Sequence, residues 1–148
     1  MKKASKELVS MLNKALETEH QAYVQYLSHA ELVDGLNSEP IEARLKEIAE
    51  DEEEHQEKLR TIIGKYLYET PSMGMAKTHT ATTIVDILKA NLKDEFEAVD
   101  LYLKILNKLN EEKENLPYQF LKIEHEIRHI VMEEQEHIAE LKQLLGMR

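Results

Sequence analysis

The chain has 148 residues with no cysteine, no tryptophan, four glycines and three prolines, and its 19 Lys and Arg against 29 Asp and Glu give a formal net charge of -10. Without thiols there is no disulfide framework, cysteine-ligated zinc or thiol nucleophile. The acidic balance argues against nucleic acid, whose binders gather Lys and Arg on one face, and makes cations the natural partners.

Glu, Lys, Leu, Ala and Ile dominate in long runs of helix formers, which predicts an all-α chain. The length fits a single domain, 1–148, able to bury roughly two-thirds of its unfolded surface. After Met1-Lys2-Lys3 no unbroken apolar stretch follows, so neither a signal peptide nor a membrane span is readable and a cytoplasmic protein is expected.

Helix one is predicted over 5–34. Stepping three and four residues at a time, its buried stripe reads Val9, Leu12, Leu16, Glu19, Tyr23, Tyr26, Ala30, Val33. Asp34-Gly35-Leu36-Asn37-Ser38-Glu39-Pro40 then supplies a Gly stop, an N-capping Ser and a first-turn Pro. Helix two, predicted over 39–68, carries Ile41, Leu45, Ile48, Glu52, His55, Leu59, Ile62 and Tyr66. The break from about Glu69 to Ala81 holds Pro71, Gly74 and a Thr-rich stretch. Helix three, 82–110, has the stripe Ala81, Val85, Leu88, Leu92, Glu95, Val99, Tyr102, Leu106, Leu109. After a short third break comes helix four, 117–145, with Phe120, Ile123, Ile127, Ile130, Glu134, His137, Leu141 and Leu144, closed by Gly146.

Connector lengths carry topology, because short links imply antiparallel neighbours. The first and third links are short. The middle one, about a dozen residues at ~3.3 Å each, reaches ~40 Å, the length of a ~28-residue helix. One long crossover between helices two and three is therefore expected, making those two parallel. In it Met73, Met75 and His79 lack helical period and read as loop anchors.

Every seam is apolar or aromatic except at Glu19, Glu52, His55, Glu95, Glu134 and His137. These fall at similar depth, so one layer of the core should be polar. The halves match: a lone Glu in the first helix of each pair, Glu-x-x-His in the second, and a Tyr seven residues after each lone Glu (Tyr26, Tyr102). A metal-free hydrogen-bonded network is the simpler alternative, but four carboxylates in an apolar core repel one another and are costly to desolvate. Two divalent ions cancel the four charges with both histidines neutral, and i, i+3 spacing puts each Glu and His on one face.

Glu-x-x-His alone is weak, since the chain contains it four times. Glu126 and His129 lie on stripes of polar residues and are expected to face solvent. Glu17 and His20 leave their seam, on a face where Val24 and Leu27 could meet another subunit. His20, His29, His125 and His129 are assigned ordinary surface or interface roles, an isolated His rarely being a ligand.

The segments Leu12-Asn13-Lys14-Ala15-Leu16-Glu17-Thr18-Glu19, Gln25-Tyr26-Leu27-Ser28-His29-Ala30, Glu53-Glu54-His55-Gln56-Glu57-Lys58-Leu59 and Glu134-Gln135-Glu136-His137-Ile138 resemble the ferritin-like di-iron carboxylate proteins, bacterioferritin most closely in motif. The resemblance implies a ferritin-like four-helix bundle holding two irons. In it Glu19 and Glu95 would be terminal ligands, Glu52 and Glu134 bridging carboxylates, and His55 and His137 one terminal ligand on each iron. Glu53 stands where bacterioferritins carry their haem-ligating Met, so no haem is expected. The chain stops soon after helix four, without the fifth helix of large cages, which puts a 24-subunit shell in doubt. Rubrerythrins add a Cys-rich domain and a further Glu at the position of Ala98.

The implied activity is that of a ferroxidase: Fe(II) is bound and oxidised with O2 or H2O2, for iron storage and detoxification or for protection against oxidative stress. Mn or Zn fits the same ligands. A homo-oligomer, at least a dimer, is expected. Tyr26 and Tyr102 read as supporting core groups rather than radical carriers. The alternatives are a peroxide-reducing or other di-metal oxidase, a non-catalytic metal-binding module and a purely structural bundle.

Overall fold

The computed structural model describes residues 3–147. Its four long helices are α1 (Lys6–Ala30), α2 (Ser38–Thr61), α3 (Ile84–Glu111) and α4 (Phe120–Leu144). A π-helical turn, Ile62–Tyr66, continues α2, and a 3-10 turn, Lys113–Asn115, precedes α4. No strand occurs among the described residues. The all-α expectation and the four-helix bundle are both borne out.

Helix starts follow local chemistry. Ser5 Oγ accepts from Leu8 N at 3.0 Å and Thr83 Oγ1 from Asp86 N at 3.2 Å, each satisfying an amide the first turn leaves free. At α2 the N-cap is Asn37, in the left-handed region at φ 66° without a side-chain cap, so Ser38 is not the cap the sequence suggests. Helix α1 ends at Ala30, earlier than expected, and the turn that follows brings Gly35 to φ 85°.

The core lies in two apolar clusters, and their membership gives the topology. One joins Leu8, Leu12 and Leu16 of α1 to Leu59 of α2, Ile105 and Leu109 of α3 and Ile123 and Ile127 of α4. The other joins Tyr26 and Ala30, Ile41 and Leu45, Ile87 and Leu88, and Leu141. The C-terminal half of α1 thus meets the N-terminal halves of α2 and α3 and the C-terminal half of α4. Helices α2 and α3 are parallel and the pairs α1/α2 and α3/α4 antiparallel, as one long crossover requires. Of the stripe residues, Val85 and Leu144 are exposed instead.

The crossover occupies 67–83, longer at both ends than read, because the π turn ends at Tyr66 and Thr83 caps α3. It leaves α2 through Tyr68, a non-glycine at φ 57°, and then follows α1. Asn13 Oδ1 accepts from Ser72 N at 2.8 Å, Glu17 bonds the Ser72 hydroxyl, His20 Nδ1 meets Gly74 O at 2.7 Å and Gln25 Oε1 accepts from His79 N at 2.7 Å. Glu17 and His20 therefore hold the crossover. His79 is an anchor as expected. Met73 is 94% exposed and Met75 52%, so the two methionines are not.

Candidate metal centre

Between the two apolar clusters lie Glu19, Glu52, His55, Glu95, Glu134 and His137, each no more than 2% exposed. All six residues singled out by the seams meet there. Their ligand atoms form two groups, Glu19–Glu52–His55–Glu134 and Glu52–Glu95–Glu134–His137, each with its atoms within 4.8 Å of one another. Glu52 and Glu134 belong to both. The i, i+3 spacing within α2 and α4 puts Glu and His on one inward face, and α1 and α3 each add one Glu across from it.

Both imidazoles turn Nδ1 inward. His55 Nδ1 lies 3.2 Å from Glu19 Oε2 and 3.4 Å from Glu52 Oε1 and from Glu134 Oε1. His137 Nδ1 lies 3.2 Å from Glu134 Oε1, 3.4 Å from Glu95 Oε2 and 3.5 Å from Glu52 Oε1. The outward nitrogens meet carboxylates of the opposite helix, His55 Nε2 with Glu133 Oε2 and His137 Nε2 with Asp51 Oδ2, both at 2.9 Å. A carboxylate on Nε2 fixes the ring and leaves Nδ1 as the donor atom toward the centre. Tyr26 Oη donates to Glu95 Oε1 at 2.9 Å and Tyr102 Oη to Glu19 Oε1 at 2.8 Å. Each tyrosine thus braces the lone glutamate of the other half.

The electrostatics are those of a site short of positive charge. Burial and then the neighbouring carboxylates push Glu52 and Glu134 well above the usual carboxylate range. Burial opposes the His137 imidazolium, but the carboxylates of Glu134 and Glu95, 3.2 and 3.4 Å from Nδ1, outweigh it and carry the group up to about 11. His55 is likewise raised well above its ordinary value, its burial outweighed by the charge of Glu19 and the bond to Glu133. Each of these shifts favours the protonated form of its group. Even so, Glu52 Oε1, Glu95 Oε2, both oxygens of Glu134 and His137 Nδ1 are buried without a hydrogen-bond partner. Unpaired buried acceptors aimed at a common centre are costly, and they fit divalent cations, which accept lone pairs and cancel the charge.

Asp51 and Glu133 escaped the sequence reading although a signal existed: each directly precedes a Glu-x-x-His, so the repeated unit is acid-Glu-x-x-His. Gln21, Gln25 and Asn91 were also missed. They are buried beside the centre between α1 and α3, with Gln25 Nε2 donating to Asn91 Oδ1 at 2.9 Å and to Asp94 Oδ2 at 2.7 Å. His29, expected at the surface or an interface, is buried as well, 2.9 Å from the Asn91 amide nitrogen. Glu126, expected in solvent, is half-buried between Lys58 and Lys122. His125 is exposed and His129 half-buried.

The fold has counterparts among known proteins. A ferritin-like, diiron-carboxylate protein from Bacillus anthracis str. Ames is similar at 25% identity and a TM-score of 0.85, over 95% of this chain and 96% of that one. A dodecameric thioferritin, the bacterioferritin-related protein of Bacteroides fragilis, is similar at 27% identity and 0.84, over 98% and 88%. Comparison with the curated proteins found no match. The family model of the ferritin-like domain matches residues 9–147, and with four helices, one long crossover and a buried carboxylate–histidine layer, the chain belongs to that family.

Proposed function

We propose that the protein is a di-iron ferroxidase of the cytoplasm, binding Fe(II) as substrate and oxidising it with O2 or H2O2. The observation that carries this reading is the pair of four-residue groups sharing Glu52 and Glu134, buried and lined with unpaired acceptors. Glu19 and His55 would hold one ion, Glu95 and His137 the other, and Glu52 and Glu134 would bridge them, as two-metal sites require. Iron suits mixed carboxylate and imidazole ligation and supplies the one-electron chemistry; Mn or Zn would fit the same ligands, but redox-inert Zn would not support the oxidation.

The chain's own residues do the positioning. Asp51 and Glu133 hold the imidazoles so that Nδ1 points inward, and Tyr26 and Tyr102 hold Glu95 and Glu19. Because the surroundings favour the protonated carboxylates and imidazoles, cations entering the layer would displace protons. Two Fe(II) yield two electrons, which reduce H2O2 with two protons to two waters, or O2 with two protons to H2O2. Supporting the diiron assignment, the Bacillus anthracis relative is itself a diiron-carboxylate protein. The dodecameric relative supports a homo-oligomer here. Glu53, at the place of the haem-ligating Met, leaves no haem in the proposal.

The test is anaerobic loading with Fe(II) followed by rapid mixing with O2 or H2O2, with iron per chain and particle mass measured on the same sample. About two irons per chain and fast oxidation are expected. Stoichiometric binding without accelerated oxidation would leave only a metal-binding module.

A further inference from the structure

Two histidines have no part in the buried centre and stand together outside it. His125 and His129 lie one turn apart on α4, where i, i+4 spacing makes side chains neighbours. Their ring centroids are 4.3 Å apart and the ring planes are tilted by 48°. His125 is exposed and His129 half-buried, so the pair opens to solvent.

The chain has seven histidines, and all the others have polar partners. His55 and His137 serve the centre, each held by a carboxylate through Nε2. His20 meets Gly74 O, His29 the Asn91 amide and His79 the Asp94 carboxylate. Among the described residues the rings of His125 and His129 have no such partner, and each has the other beside it. The charged side chains next to them are already paired, Arg128 with Glu124 and Lys122 with Glu126, both at 2.8 Å. Neither basic group therefore stands as a lone charge against a cation. Two imidazoles this close suit one ion: with metal–nitrogen bonds of ~2.0–2.1 Å, imidazoles bound at right angles have their centroids roughly 4.5 Å apart. The observed spacing is close to that, so chelation requires only rotation of the side chains.

We propose that His125 and His129 form a further metal site, an exposed dihistidine chelate for a divalent ion of borderline softness, Cu(II) above all. Imidazole suits Cu(II), Ni(II) and Zn(II), and Cu(II) stands at the top of the affinity order with Mn(II) and Fe(II) at its foot. The second imidazole binds an ion already tethered by the first, so the pair holds it far more tightly than either ring alone. The rest of the ion's coordination stays open to solvent. The site is therefore exchangeable, unlike the carboxylate layer, whose six residues are each no more than 2% exposed.

The pair stands independently of the buried layer, and a copper chelate too bulky to enter that layer tests it alone. Cu(II)–iminodiacetate, whose tridentate chelator leaves part of the copper open, is titrated into the full chain by calorimetry. The copper environment is then read by electron spin echo modulation. One chelate per chain, with two imidazoles on the copper, is expected. His125→Asn and His129→Asn should each weaken binding by at least about tenfold and leave a single imidazole on the copper. His20→Asn and His79→Asn, on the crossover side, should leave affinity and spectrum unchanged. Parental affinity in both His125→Asn and His129→Asn, a parent spectrum with only one imidazole, or loss of binding in the crossover variants instead would overturn the site. Thermal melts confirm that each variant is folded, and His125→Asn, at an exposed position, carries the test should His129→Asn fail to fold.

Discussion

Replacing Glu52 by Gln tests the centre from the side of stability as well as of binding. Glu52 is 1% exposed, belongs to both four-residue groups, and has an oxygen with no hydrogen-bond partner. Burial and the charges of Glu19 and Glu95 oppose its ionisation. A glutamine of the same shape carries no charge to desolvate, and its amide can donate to the unpartnered oxygens of Glu134. An unsatisfied buried polar group costs ~1–3 kcal/mol, so the metal-free variant should gain stability of that order, or ~2–12 °C in Tm at ~2–4 °C per kcal/mol for a chain of this size. The same change removes one charge from each cation's cage and should abolish tight binding at both positions. Calorimetric melts of the metal-free proteins and Co(II) titrations provide the two measurements. A metal-free variant less stable than the parent, or one that still binds two cobalts with parental affinity, would refute the account of the layer as a site built for cations at the expense of stability.

Other outcomes follow from the same geometry. In the metal-free protein Glu52, Glu134, His55 and His137 all bind protons more tightly folded than unfolded. The folded state therefore holds more protons above the ordinary carboxylate and imidazole pKa values, and stability should fall as pH rises from about 4.5 toward about 11, the value of His137 in the folded protein. Metal-loaded protein should lack this slope, and Co(II) addition at pH 7 should release protons measurable with an indicator dye. Glu133→Gln loosens His55 without removing a ligand and should weaken Co(II) binding roughly 10- to 100-fold; unchanged affinity in an isothermal titration would contradict the role given to Glu133. Tyr102→Phe removes the bond to Glu19 and should cost ~1 kcal/mol in denaturant unfolding. Glu17→Ala releases Ser72 and should raise hydrogen exchange along 70–76 while α1 stays protected; uniform protection would show that the crossover is held by other contacts.

What the chain determines by itself is the periodic part. Apolar stripes at three- and four-residue steps locate each helix and mark the six places where a charged or ionisable side chain must enter the core, because a helix repeats its facing positions at fixed spacing whatever it packs against. Connector length likewise determines the crossover, since the span to be covered is set by helix length. Interactions between elements carry no such period. That Asp51 and Glu133 reach the histidines of the opposite helix, that His29 is buried against Asn91, and that Glu17 and His20 grip the crossover depend on which surfaces the packing brings together.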